Sequence, residues 1–106
     1  MTRFTVYVTP GALDEVKELP GNIRQRVKRV IFQLEENAAP SNSKPLDLTG
    51  IAPDLDPDKT IRRIRLDRWR IVYSVSESER IIDVLAVRKR PPYDYGDLGE
   101  LLEEIK

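Results

Sequence analysis

Three consecutive segments in the second half of the chain alternate apolar and polar residues, and this pattern limits the fold more than any other feature. The segments cover about residues 60–67, 69–76 and 80–88. A period of two residues is typical of β-strands with one covered face and one open face. The connections, Asp67-Arg68 and residues 76–79, are short enough for antiparallel hairpins. The sequence therefore predicts a meander of three strands, and the last strand, which is nearly all apolar, is expected to be central.

The first half of the chain predicts one strand followed by two helices. Residues 3–9 alternate apolar and polar side chains, and Thr9-Pro10 then resembles a helix N-cap followed by proline at the first helical position. Leu19-Pro20-Gly21 ends this helix, and Asn22 is expected to cap a second one. The apolar residues at helical spacing are Leu13, Val16 and Leu19 in the first helix, and Ile23, Val27, Val30, Ile31 and Leu34 in the second.

These elements predict an α+β fold in the order β-α-α-β-β-β-α, in which an αα-hairpin covers one face of a small antiparallel sheet. The connection over residues 38–59 is expected to be irregular because it is rich in Pro, Asp, Ser and Asn. Leucines and an isoleucine at helical spacing predict a terminal helix within residues 96–106. With 106 residues, the chain is expected to form a single domain, residues 1–106.

The composition excludes several kinds of site. The chain has neither cysteine nor histidine, so disulfides, thiol nucleophiles, zinc sites built on these residues and Ser-His-Asp triads are impossible. The acidic stretch Asp54, Asp56 and Asp58 departs from a calcium loop, because Lys59 stands where that loop needs glycine. We therefore expect no metal and no cofactor. No apolar run reaches a membrane span or a secretory signal, and a cytoplasmic protein is expected.

The charges are strongly segregated although they sum to zero. Residues 59–90 carry ten basic and four acidic residues, a net charge of +6, whereas residues 91–106 have a net charge of −4. Arg63, Arg65 and Arg70 are predicted on adjacent strands, on the sheet face turned away from the helices. A cluster of basic and tyrosine side chains follows where the last strand ends: Arg88, Lys89, Arg90, Tyr93 and Tyr95.

Guanidinium groups bind phosphates bidentately and aromatic rings stack on unpaired bases, so this face fits single-stranded RNA. Two other interpretations remain. The arginines form a solvated face paired with acids such as Asp67, Glu77, Glu79 and Asp83, or they dock an acidic protein segment. Trp69 suits packing at the sheet better than stacking on a base.

The stretches "RRIRLDRWRIVYSV" and "IIDVLAVRKR", followed by a tyrosine, resemble the carboxy-terminal half of the RelE/ParE superfamily of bacterial and archaeal toxins. The first strand and the αα-hairpin agree in order and length, so the resemblance covers essentially the whole chain. Resemblance to the RelE branch implies a ribosome-dependent endoribonuclease that cuts mRNA by attack of the ribose 2′-OH. Resemblance to the ParE branch implies a DNA gyrase inhibitor without nuclease activity, and a degenerate toxin would act only as an antitoxin-binding module.

The resemblance also implies roles for individual residues. The RelE prototype has lysines where this chain has Arg63 and Arg65, and arginine is too basic to act as a general base. The arginines are therefore expected to clamp the transition state, and proton transfer falls to Tyr95, Tyr93, Lys89 or groups of the ribosome. The predicted catalytic residues are Arg65, Arg70, Arg90 and Tyr95. The predicted RNA-binding residues are Arg63, Arg68, Trp69, Arg88, Lys89 and Tyr93.

A toxin of this kind requires a partner that silences it. The resemblance implies a cognate antitoxin protein, and the basic block at residues 59–90 would attract an acidic, largely disordered segment that folds on the toxin. A toxin–antitoxin hetero-oligomer and mRNA on the ribosome are the expected assemblies, with no membrane involved. The amphipathic segment 97–106 would either complete the core or lie over the site as a lid.

Overall fold

The computed structural model describes residues 3–46 and 57–89, and within these ranges the fold is a sheet with two helices on one face. The predicted α+β class and the αα-hairpin are confirmed. The terminal helix predicted within residues 96–106 lies outside the described residues. The helices are α1 (Pro10–Lys17) and α2 (Gly21–Gln33), and the strands are β1 (Thr5–Val8), β2 (Ser43–Pro45), β3 (Lys59–Leu66), β4 (Trp69–Ser76) and β5 (Ile81–Lys89).

The strand order across the sheet is β1-β5-β4-β3-β2. The predicted meander forms antiparallel pairs between β3 and β4 and between β4 and β5, whereas β1 pairs in parallel with β5. The parallel pair is possible because the two helices carry the chain across one face between β1 and the meander. β4 is the middle strand and β5 has a partner on each side, as expected from its apolar sequence.

The core lies between the helices and one face of the sheet. Alternate residues of β4 point into it, so Ile71, Tyr73 and Val75 are almost completely buried there. Val27 of α2 and Leu34 at the end of α2, both from the second apolar stripe, are buried in the same core. The Tyr73 hydroxyl donates a hydrogen bond of 2.8 Å to the backbone oxygen of Ala38, and burial raises the pKa of Tyr73 above its usual value.

Three local predictions were wrong. α2 begins two residues earlier than expected, with Pro20 rather than Asn22 at the cap position and no side-chain cap. Leu13 is 43% exposed, and Ala12 is the buried residue in that part of α1. Ser43 begins β2, an edge strand antiparallel to β3 in a stretch expected to be irregular. Proline in that strand is tolerated because it lies at the sheet edge.

The cap of α1 was predicted correctly. The Thr9 side-chain oxygen accepts a hydrogen bond of 3.3 Å from the backbone N–H of Ala12, and Pro10 is the first helical residue. Within residues 3–46 and 57–89, neither helix is long and apolar enough to cross a membrane.

Candidate functional site

Three arginines from three neighbouring strands stand in register on the sheet face turned away from the helices. Arg65 of β3 is directly opposite Arg70 of β4, and Arg70 is directly opposite Arg88 of β5. Residues directly opposite each other in antiparallel strands have side chains on the same face, with Cα atoms about 4.5–5.5 Å apart. We call Arg65, Arg70 and Arg88 the arginine row. Like charges in such positions repel, so the row is a preformed site of positive potential.

Arg70, at the centre of the row, is buried rather than solvated. Only 3% of the residue is exposed, and its Nη1 donates hydrogen bonds of 3.0 Å to the backbone oxygens of both Asp67 and Trp69. The expectation that Arg70 lies at a solvated surface is therefore wrong. The guanidinium of Arg70 turns back onto the backbone oxygens of the turn and of the first residue of β4 instead of extending into solvent.

That turn, Asp67-Arg68, connects the row to α2. Asp67 adopts a φ of 55°, in the left-handed region that most side chains avoid. Its carboxylate accepts a hydrogen bond of 2.6 Å from Nη1 of Arg26 in α2, while its backbone oxygen binds Arg70. Asp67 therefore contacts one arginine from the helix layer and one from the row. The sequence placed Asp67 in the hairpin connection and suggested it as a partner for the arginines of the sheet, but did not show its contact with α2.

Arg88, at the other end of the row, forms an ion pair with α1. Its Nε donates a hydrogen bond of 2.8 Å to Oε2 of Glu15, and Oε1 of the same carboxylate accepts one of 3.1 Å from the backbone N–H of Val87. β1 ends at Val8, which pairs with Val84, so Glu15 reaches β5 beyond the end of that strand. Sequence analysis did not find Glu15, because 73 residues separate it from Arg88 and no local pattern marks the contact.

Arg65 is the exposed member of the row. Its guanidinium has no ion-pair partner among residues 3–46 and 57–89, and its backbone is fixed by hydrogen bonds with Asn42. Arg63 lies two residues earlier on the same face, opposite Val72, and is half-buried. Arg68 is exposed in the hairpin turn. These three side chains present positive charge beside the buried guanidinium of Arg70.

Two of the predicted RNA-binding residues lie on the other side of the sheet. Trp69 is in register with Leu66 of β3 and Lys89 of β5, and Trp69 packs half-buried against the core. Lys89 is exposed. The structure thus brings together Arg63, Arg65, Arg70 and Arg88 and places Trp69 and Lys89 apart from them. Arg90, Tyr93 and Tyr95 lie outside the described residues.

The acids that were considered as partners for the arginines have other environments. Glu77 pairs with Arg80 at 3.6 Å, and Asp67 pairs with Arg26 as described above. Asp83 shares the face of the arginine row, opposite Ser74, and burial raises its pKa while the charge of Lys59 opposes that rise. In the described part of the chain, the carboxylate that pairs with the row is therefore Glu15.

Asp58 belongs to a turn cap rather than to a freely solvated acidic loop. Its carboxylate accepts hydrogen bonds of 2.5 Å and 2.6 Å from the hydroxyls of Ser76 and Ser78, and one of 3.1 Å from the backbone N–H of Ser78. These hydrogen bonds lower the pKa of Asp58 below its usual value. Over residues 3–46 and 57–89, no group of three or more acidic side chains is arranged to hold a metal ion.

The row supplies cations but no group that accepts a proton near neutral pH. Guanidinium groups bind the oxygens of a phosphate and stabilise negative charge that develops on them. A proton acceptor would have to come from elsewhere in the chain or from a partner. The role expected of these arginines, stabilisation of charge on a phosphate, stays a prediction.

Comparison with known proteins identifies the family and the fold. A family model described as the ParE toxin of type II toxin–antitoxin systems, parDE, matches residues 6–91. The fold is similar to the archaeal RelE–RelB complex from Pyrococcus horikoshii, with a TM-score of 0.72 and 20% identity over 87% of this chain and 100% of that chain. No curated protein matches the sequence at a significant level.

Two bacterial structures are similar in the same way. The toxin–antitoxin complex RelBE2 from Mycobacterium tuberculosis has a TM-score of 0.65 and 22% identity, over 84% of this chain and 100% of that chain. The isolated E. coli RelE toxin has a TM-score of 0.56 and 21% identity, over 99% of this chain and 100% of that chain. At these identities the likeness shows the fold, and together with the family match it confirms the resemblance to the RelE/ParE superfamily.

Proposed function

The chain belongs to the ParE toxin family of type II toxin–antitoxin systems, and from its arginine row we propose that it is a ribosome-dependent mRNA endoribonuclease that inhibits translation. The observation that carries this proposal is the register of Arg65, Arg70 and Arg88 across three strands. Like charges directly opposite each other in a sheet repel, and guanidinium groups bind the oxygens of a phosphate. A phosphate bound between them would remove that repulsion.

In the proposed reaction, the ribose 2′-oxygen attacks the adjacent phosphorus. The bond between the 2′-oxygen and phosphorus forms while the bond to the 5′-oxygen breaks, leaving a 2′,3′-cyclic phosphate and a 5′-OH. The 2′-OH proton goes to a base, for which Tyr95, Tyr93, Lys89 or a ribosomal group is the candidate, and the leaving 5′-oxygen takes up a proton. Arg65, Arg70 and Arg90 stabilise the charge on the phosphorane-like transition state. Removal of one such cation costs roughly 100- to 1000-fold in rate.

A second candidate function is inhibition of DNA gyrase without chemistry. It is favoured by the family model, which is that of ParE toxins, and by arginine at positions 63 and 65, where the RelE prototype has lysine. Arginine at both positions leaves the row without a nearby proton acceptor. In this case the sheet face that carries the arginine row, called the basic face below, would contact a protein or DNA. The chain would then cut no RNA.

Expression of the chain in growing cells, with protein and DNA synthesis pulse-labelled separately, distinguishes the two candidates. The nuclease proposal predicts an early loss of protein synthesis, and purified chain added to programmed ribosomes should produce mRNA fragments with 2′,3′-cyclic phosphate ends. Arg65→Ala is the matched variant, since Arg65 is exposed and its loss leaves the core unchanged. Loss of DNA synthesis with translation untouched would overturn the nuclease proposal and support the gyrase candidate.

We propose a cognate antitoxin as the physiological partner. Solved structures with the same fold are complexes of RelE with RelB, and the +6 charge of residues 59–90 suits an acidic segment that folds on docking. Co-expression with the product of the adjacent gene should rescue growth and give a complex that co-purifies. If substitution of the exposed Arg65 and Arg68 by glutamate leaves that complex unchanged, the antitoxin binds elsewhere than on the basic face.

A further inference from the structure

Glu15 binds the end of the arginine row from a distant part of the sequence. Both oxygens of its carboxylate are used, one by the Arg88 guanidinium and the other by the backbone N–H of Val87. The two side chains of the ion pair are only 34% and 29% exposed, for Arg88 and Glu15 respectively. The pair is therefore more shielded from water than the other ion pairs within residues 3–46 and 57–89, whose side chains are all at least 42% exposed.

A carboxylate and a phosphate compete for the same donors on a guanidinium. Both are anions that accept its N–H groups in the fork geometry, and neither donates in return. While Glu15 accepts from Nε of Arg88, that donor is not available to an RNA phosphate. Arg65, in contrast, is exposed and has no ion-pair partner in the described ranges. The two ends of the row thus differ in how readily they bind an added anion.

We propose that Glu15 is an affinity-determining residue of the RNA site, because its carboxylate competes with an RNA phosphate for Arg88. This inference rests on the proposed function, in that the ligand of the row is RNA. In the free protein the row has an internal anion at its β5 end, which lowers the repulsion between Arg70 and Arg88. A phosphate that binds there displaces Glu15 from Arg88. The loss of this ion pair reduces the net free energy gained on RNA binding. Glu15 then retains its hydrogen bond to Val87.

Glu15→Gln tests the proposal with little change to the fold. Glutamine keeps one oxygen that accepts from the Val87 N–H, and it presents an NH2 group to Arg88, which cannot accept a hydrogen bond. The side chain at position 15 then no longer competes with a phosphate for Nε of Arg88. We expect RNA to bind about tenfold tighter at low salt. The slope of log K against log salt should become steeper by about 0.7, the value for one more phosphate contact on a single strand.

The probe is a short single-stranded oligonucleotide of 2′-O-methyl RNA, which has no free 2′-OH and is therefore not cleaved. Binding is measured over about 50–200 mM salt, the range in which counterion release is readily seen. Glu18→Gln is the matched control, because Glu18 is an exposed residue at the end of the same helix and the substitution removes the same charge. The third variant combines Glu15→Gln with Arg88→Gln, and a thermal melt of each variant verifies folding.

The proposal predicts tighter binding and a steeper salt slope for Glu15→Gln, little change for Glu18→Gln, and no gain from Glu15→Gln when Arg88 is also replaced. Equal gains in RNA affinity for Glu15→Gln and Glu18→Gln would show a general charge effect and overturn the proposal. An unchanged salt slope, or a gain in affinity that persists when Arg88 is also replaced, would overturn it as well. A separate measurement tests the nuclease proposal: it fails if the wild-type chain leaves mRNA on ribosomes intact. A Glu15→Gln gain in that case would still support competition at Arg88.

Discussion

Separate alanine substitutions of Arg65 and Arg70 should distinguish what the arginine row does for function from what it does for folding. Both residues are expected to stabilise the transition state, so each substitution should lower the cleavage rate by roughly 100- to 1000-fold. Their environments differ, however. Arg65 is exposed, whereas only 3% of Arg70 is exposed and its Nη1 donates to two backbone oxygens.

The expected cost to stability follows from these contacts. Hydrogen bonds from a charged donor contribute about 1.5–3 kcal/mol each, and Arg70→Ala leaves the oxygens of Asp67 and Trp69 without that donor. Relief of repulsion from Arg65 and Arg88 returns about 0.2–1 kcal/mol. We therefore expect the free energy of unfolding to fall by about 2–6 kcal/mol. At about 4–8 °C per kcal/mol for a small domain, Tm should drop by at least ~8 °C.

Arg65→Ala should change the free energy of unfolding by no more than about 0.5 kcal/mol, the usual range for exposed positions. The assays are thermal unfolding followed by circular dichroism and cleavage of mRNA on programmed ribosomes. Arg29→Ala is the control, because Arg29 is an exposed arginine on α2 and has no part in the row. An Arg70→Ala protein that melts with the wild type would refute the energetic role of the two hydrogen bonds. Full activity of Arg65→Ala would refute the functional role of the row.

Three further predictions concern residues outside the row. Asp58 has a lowered pKa in the fold. Its contribution to stability is therefore complete above the usual pKa of 3.8 and is lost as the pH falls through the lower pKa of the folded state. Asp58→Asn should flatten the acid side of a plot of Tm against pH. Tyr73→Phe removes the hydrogen bond to Ala38 and should cost about 1–3 kcal/mol in chemical denaturation, because a buried oxygen loses its donor. Asp67→Gly relieves the positive φ of 55° but loses the ion pair with Arg26, so Tm should hardly change. Asp67→Ala loses the same pair without that relief and should cost about 0.2–1 kcal/mol, the usual range for an exposed ion pair.

The sequence by itself determined the fold class and the order of the described elements, except for the edge strand β2. Alternation along β4 predicted that Trp69, Ile71 and Tyr73 share one face and that Arg70 lies on the other, and the structure has this arrangement. The apolar stripe of α2 was predicted equally well. Such patterns are reliable because the side-chain periods of strands and helices are local properties of the backbone. The superfamily was also predicted from the sequence, through the order of its basic and aromatic residues.

The tertiary structure alone decided which polar groups meet. The sequence placed Arg65 and Arg70 on one face, but only the strand register showed that they stand directly opposite each other and that Arg88 continues the row. The tertiary structure also buries Arg70 and pairs Arg88 with Glu15. These features depend on β4 having a neighbour on each side and on α1 reaching β5 beyond the end of β1. Contacts between distant residues follow from how whole elements pack, and no local pattern of residues carries that information.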